Sequence, residues 1–305
     1  MYSKRIVSLV VVVIICISSM GIVNAQKFYI KAVEGYVFSS ASTAYNNADP
    51  NGLTLIRPST DISISADGRT ATIRSLYGSI GTGYKIGVAG GYTFTDHLAV
   101  ELGVNYFKGN TITIGKFNSG FTSQVENCYL RGVDVSPTFV IRANNRKFDP
   151  YIRAGAMFTL GGSLWIDTFV NQPTAGGEGA ALSVRAKSEV KSSFSAGVLG
   201  AAGMQFHITK ECGVFIEAEF KSFSIGSKNA RITEYTTSLD SNGATIMVAG
   251  QQLSDLPEYK KSFTFSDEFE QSTNGVVDLT QPRTLPTQKV NLSGVGINIG
   301  VTWTL

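Results

Sequence analysis

The chain has 305 residues, of which 32 are glycine and only 16% are charged, and its formal net charge is +3. Lys4 and Arg5 belong to a leader-like start, and without them the chain is close to neutral, which argues against a nucleic-acid partner. Plentiful glycine with few charges fits close backbone packing beside an apolar solvent.

The N-terminus reads as a secretory signal peptide, residues 1–25. Lys4 and Arg5 precede an apolar run from Ile6 to Ile17, and a small, polar region ends at Val23-Asn24-Ala25. The run falls short of the roughly 17–25 residues a membrane helix needs. Bulky Ile15 before Cys16 argues against a lipoprotein signal. Of the remaining cysteines, Cys128 and Cys212 fall at opposite ends of the architecture derived below, too far apart for a disulfide.

Lys27 to Phe38 is the first predicted strand. One face carries Phe28, Ile30, Ala32 and Tyr36 but also Glu34, and a carboxylate in mid-bilayer is costly. The other carries Lys31, which could snorkel, so the Tyr29, Val33, Val37 face is expected to point outward. Residues 39–76 form a first external loop, with a hairpin at Asp67-Gly68 whose arms are too short to cross a membrane.

Ile80 to Asn110 supplies strands two and three across a turn at Thr95-Asp96-His97. Tyr84, Ile86, Val88, Tyr92 and Phe94 share one face, and small or polar Gly83, Lys85, Gly87, Ala89 and Gly91 the other. Beyond the turn Leu98, Val100, Leu102, Val104 and Tyr106 alternate with Ala99, Glu101, Gly103 and Asn105. Such runs suit a strand crossing an outer membrane, which needs about 9 to 11 residues. After a second loop (108–127), strand four (Cys128 to Arg142) directs Tyr129, Val133, Val135, Phe139 and Ile141 outward. Asp134, Ser136 and Thr138 point inward, and Pro137 predicts a local irregularity. Strand five (Tyr151 to Gly162) directs Ile152, Ala154, Ala156, Phe158 and Leu160 outward and Arg153 inward.

A third loop (163–190) contains Gly176-Gly177. Strand six (Lys191 to Ile208) follows, then strand seven (Gly213 to Phe223) with Glu217, Glu219 and Lys221 inward. The fourth loop (224–288) is the longest, and its Asn242-Gly243 hairpin has arms too polar to face lipid. Strand eight (Lys289 to Leu305) turns Val295, Ile297, Ile299, Val301, Trp303 and Leu305 outward.

The expected fold is therefore all-β, an eight-stranded antiparallel transmembrane β-barrel over residues 26–305 with long external loops and short periplasmic turns. It would sit in the outer membrane of a Gram-negative bacterium with both termini periplasmic. Its aromatic residues sort into two girdles, and outer-membrane lipid is its first expected partner.

The ending Asn298-Ile299-Gly300-Val301-Thr302-Trp303-Thr304-Leu305 resembles the C-terminal assembly signal of outer-membrane barrels, carried by Asn298, Gly300, Trp303 and Leu305. Leu305 departs from the aromatic that usually ends it. This resemblance implies the barrel assembly machinery as a partner. The Tyr84–Tyr106 hairpin and Asp149-Pro150-Tyr151-Ile152-Arg153-Ala154-Gly155 resemble the small outer-membrane β-barrel domain family, OmpA-like or OmpW-like, of the Bacteroidetes type. No peptidoglycan-binding domain is expected after Leu305.

Lys85, Glu101, Asp134, Arg153, Glu217, Glu219 and Lys221 all point inward on this scheme. An eight-stranded barrel is just wide enough for side chains to fill it, so a neutralised charge network is expected rather than an ion path. Tyr259, Phe263, Phe265 and Phe269 lie among charges in the fourth loop and would either contact an unknown extracellular partner or pack the loop onto the rim. His97 and His207 fall at periplasmic turns on hairpins set apart round the barrel, so no catalytic set, metal site or cofactor is predicted. A non-enzymatic role in envelope structure and surface interaction is the leading expectation, with a narrow pore as the alternative.

Overall fold

The computed structural model describes residues 27–40, 60–76, 79–175, 179–241, 243–269 and 278–305. The predicted signal peptide, residues 41–59 of the first loop, Gly176-Gly177 and Asn242 lie outside these described residues. Eight strands carry the frame: β1 (Lys27–Ser39), β4 (Gly83–Thr93), β5 (Leu98–Gly109), β7 (Ser123–Arg142), β8 (Phe148–Gln172), β10 (Ala196–His207), β11 (Cys212–Ser222) and β17 (Gly294–Thr304). Each pairs antiparallel with two others of the set, in the order β1, β4, β5, β7, β8, β10, β11, β17, and β17 returns to β1. The ladders thus form a closed ring, which satisfies backbone groups that hydrocarbon could not.

Strict alternation sorts the side chains. On β5, Leu98, Leu102, Val104 and Tyr106 are exposed while Ala99, Glu101, Asn105 and Phe107 are buried. On β17, Val295, Ile297, Ile299, Val301 and Trp303 face out and Asn298 and Thr302 face in. The first strand is the exception to expectation. Tyr29 and Val37 are buried, and Phe28, Ile30 and Phe38 are exposed, so the Tyr29, Val33, Val37 face points inward. Lys31 does not snorkel, because it finds Glu101 across the interior. Glycine placement enforces the choice: a Cβ on Gly91, the β4 partner of Tyr29, would sit 2.1 Å from the Tyr29 ring. Glu34 is left exposed between Ile86 and Ile299, two residues below Tyr36.

Aromatic contacts mark both edges of the outward wall. Phe28 meets Tyr92 at 4.8 Å and Phe148 meets Phe206 at 5.1 Å near the short turns; Tyr36 meets Tyr84 at 4.9 Å and Phe158 meets Phe194 at 6.0 Å at the other end. In the turn between β7 and β8, Asn144 takes a φ of 57°, a left-handed value that asparagine tolerates.

Past the rim the two halves of the ring differ. β1, β4, β5 and β17 stop there, whereas β7 and β8 continue, β8 for 25 residues in all. β9 (Ala180–Ser192) and β12 (Ser224–Ser241) extend the lines of β10 and β11 upward, pairing with β8 and with each other. Much of the predicted third loop and the start of the fourth is therefore strand. Predicted strands six and eight are each divided, at 193–195 and at Leu292-Ser293, and β16 (Lys289–Asn291) pairs with the base of β12.

Other short strands flank the extension: β2 (Thr60–Ile64) with β3 (Ala71–Ser75), the hairpin predicted at Asp67-Gly68; β6 (Ile112–Asn118) on β7; and β13 (Ala244–Gln252), β14 (Ser262–Ser266) and β15 (Arg283–Pro286) beside β12. The register shift of the β7–β8 ladder falls at Val133/Asp134, a few residues from Pro137. Gly161 pairs with Val133 and Thr159 with Asp134, so Leu160 is the extra residue and facing on β8 inverts above it. Leu164 and Ile166 accordingly point in.

Candidate functional site

The interior of the ring holds the densest polar chemistry. Period-two spacing on β11 points Glu217 and Glu219 into the lumen one above the other, and β8 does the same for Tyr151 and Arg153. Arg153 grips Glu217 through both arms, Nε to Oε2 at 3.0 Å and a terminal nitrogen to Oε1 at 2.5 Å, and reaches Glu219 at 2.9 Å. Tyr151 donates to Glu217 at 2.8 Å, and the Asn298 amide donates to Glu217 at 2.7 Å and Glu219 at 3.1 Å. Lys85, from β4, closes on both oxygens of Glu219 at 2.7 Å. Glu101 is bound by Lys31 and by the Tyr29 hydroxyl at 2.8 Å.

Asp134 accepts from Asn105 at 2.8 Å. Lys221 lies 4.7 Å above the Phe107 ring and makes no ion pair among the described residues. Cations Lys31, Lys85, Arg153 and Lys221 thus face carboxylates Glu101, Asp134, Glu217 and Glu219, and charge balances within a low-dielectric enclosure. Toward the short turns Arg142 pairs with Asp149 at 2.9 Å. Above the network an apolar cluster closes the lumen, including Ile80, Phe107, Leu130, Met157, Phe223 and Leu292. A cavity of about 40 Å³ remains between this cluster and the Asp134 and Lys221 side chains.

The ion pairs of Lys31, Lys85 and Arg153 bridge strands that are not neighbours. Lys85 on β4 meets Glu219 on β11 across two intervening strands, and Lys31 stacks over the Tyr151 ring at 4.7 Å and the Phe215 ring at 5.2 Å. Side chains therefore span the bore. Sequence reasoning missed Lys31 and Tyr29 because it inverted the first strand. Tyr151 and Asn105 were missed because neutral hydrogen-bonding residues carry no charge signal.

Among the C-terminal residues, Asn298 serves the network and Trp303 is 57% exposed on the outer wall. Gly300 is sterically required, since a Cβ would lie 2.0 Å from Ala32 O. Leu305 N donates to Phe28 O at 2.8 Å, extending the seam between the first and last strands. The fourth-loop aromatics are packed rather than displayed. Phe263 belongs to the apolar cluster and Phe265 lies against it, Tyr259 sits under Arg283 at 5.6 Å, and Phe269 is half-buried. His97 Nδ1 lies 3.0 Å from Arg142 O, and His207 Nε2 lies 3.9 Å from Asp149, both at the turn end.

On the outward face of the extension a groove of about 640 Å³ is lined by residues from β7, β8, β9 and β12. Lys187 stands centrally, 3.9 Å from Asp167 and 4.0 Å from Glu234, and Arg185 lies over the Phe169 ring at 5.3 Å.

Residues 20–251 match the family described as outer membrane protein beta-barrel domain. The chain belongs to that family. Its membrane-facing architecture is thus of the outer-membrane type, and none of the described helices is long and apolar enough to cross a membrane. No curated protein matches the chain. Solved structures similar to this family member include the outer membrane protein OprG from Pseudomonas aeruginosa, at 13% identity over 92% of this chain and 96% of that one, with a TM-score of 0.39. The attachment invasion locus protein Ail of Yersinia pestis shows 9% identity, 92% and 97% coverage and a TM-score of 0.29. CarO of Acinetobacter baumannii shows 15% identity, 72% and 92% coverage and a TM-score of 0.29. At these scores the likenesses bear on neither ligand nor activity.

Proposed function

We propose that the chain is a non-enzymatic, eight-stranded outer-membrane barrel with a filled lumen and periplasmic termini. It anchors a tall extracellular sheet that contacts a surface partner. The observation that carries this reading is the interior pairing: cations and carboxylates cross the bore and neutralise one another beneath an apolar seal. The continued strands β7, β8, β9 and β12 support the second half, since they raise a paired, preorganised surface with a charged groove well above the rim.

Two measurements test it. The refolded protein should show no conductance steps in a planar bilayer; reproducible steps whose selectivity changes in a Glu217→Gln/Glu219→Gln variant would establish the pore instead. In intact cells a membrane-impermeant maleimide should label Lys260→Cys, an exposed position beside β14, and absence of labelling in folded protein would overturn the orientation.

A further inference from the structure

A second concavity, of about 530 Å³, lies lower, at the break between β9 and β10, against the base of β12 and β16. Gly226 forms its floor. A Cβ there would project to 2.8 Å from Ser193 Oγ and 3.6 Å from Thr287 Cγ2, both lining atoms. Backbone bonds fix the walls: Ser193 N to Gly226 O at 2.7 Å, Ser227 N to Gln288 O at 2.8 Å and Thr287 N to Ser266 O at 3.1 Å.

The groove is chemically two-sided. Phe194, 73% exposed and stacked on Phe158, and Ala196 continue the apolar outer wall into it. Lys228 and Lys289 line the other side, exposed and without an ion pair among the described residues, and Asp267 is the one carboxylate of the lining. Further outward cations run round the same rim in register. Lys108 pairs with Arg131, Arg131 with Ser163, and Ser163 with Lys191, one outward position above Tyr106 on β5 and one below Tyr129 on β7. Glu189, bound by Ser163 at 2.6 Å, faces the same way one position higher. Cations level with an aromatic girdle stand where lipid headgroups stand.

We propose that this groove holds the phosphate-bearing headgroup of an outer-leaflet glycolipid. Its phosphate lies between Lys228 and Lys289, and an acyl chain descends past Phe194 and Ala196. The inference rests on the membrane orientation proposed above, but its test in micelles does not use that orientation. Failure of the test therefore leaves the proposed function standing.

The full chain, refolded in micelles, is titrated with phosphorylated lipid A and with its dephosphorylated counterpart, and bound lipid is counted by native mass spectrometry. The phosphorylated form should bind about thirtyfold more tightly, as two cations near an anionic headgroup predict. Lys228→Gln/Lys289→Gln should abolish that preference, while Lys210→Gln at the opposite end should preserve it. Phe194→Ser should weaken both lipids alike and keep the preference. These variants change exposed side chains, and heat-modifiable gel mobility confirms that each is folded. Equal binding of the two lipids, or an undiminished preference in the double variant, would overturn the proposal. So would binding of inorganic phosphate at the same two lysines as tightly as lipid A, which would mark a free-anion site.

Discussion

Within the ring, β8 turns Ile152, Ala154, Phe158 and Leu160 outward; above it the same strand turns Trp165, Asp167 and Phe169 outward. The next strand line repeats the contrast, with Ala196, Val198 and Met204 below on β10 and Arg185, Lys187, Glu189 and Lys191 above on β9. The β7–β8 ladder runs through both regions with a single register shift, so both remain paired strand and the change in composition records a change of solvent. Lipid demands apolar side chains on one face; water accepts either kind.

The largest effect should come from breaking the interior. Glu217→Ala leaves Tyr151 and the Asn298 amide short of an acceptor and weakens the hold on Arg153, and should cost about 3–5 kcal/mol in urea unfolding of the refolded protein. Glu234→Ala, in the extension, should fall within about 0.5 kcal/mol, since its carboxylate is 71% exposed and 4.0 Å from Lys187. Equal losses would mean that the interior charges are hydrated.

Next comes the outer wall. Leu102→Arg places a cation on the lipid face opposite Gly90 and Pro137 and should cost roughly 2–4 kcal/mol in vesicles, whereas Met247→Arg on β13 should stay within about 0.5 kcal/mol. A neutral Leu102→Arg would count against a lipid-facing wall.

A smaller effect separates two adjacent glycines. Gly91→Ala drives a methyl into the Tyr29 ring and should cost about 1–3 kcal/mol, while Gly90→Ala meets nothing within 4 Å and should be neutral. Identical unfolding midpoints would restore the outward facing of Tyr29.

The smallest is a pH effect in the extension. The Ser262 hydroxyl, donating to Glu258, holds that carboxyl below the ordinary carboxylate value of 4.5. A depressed folded pKa adds stability above the unfolded value, and that stability is lost as pH falls through the folded one. Glu258→Gln should therefore lower stability slightly at pH 7 and by progressively less as pH falls below 4.5, read from unfolding midpoints along a pH series.

Seven of the eight ring strands were legible because lipid imposes period-two alternation strongly enough to read by eye, as along Tyr84 to Tyr106. The first strand was located but its facing was not legible, because each face carries one charge, Lys31 or Glu34, and the choice depends on Glu101 and Gly91 far along the chain. The extension was hidden too, since Asp167, Arg185 and Lys187 look like loop residues when only an apolar face is taken as the sign of a strand.

Outside the first strand, the sequence by itself determined the membrane-facing pattern, the short turns and the inward charges, all of which follow from local periodicity against two solvents. Tertiary structure alone decided which charges meet, how the bore is sealed and how far the strands rise. Those depend on register and on the inverted facing above Leu160, and on which distant residues closure of the ring brings together.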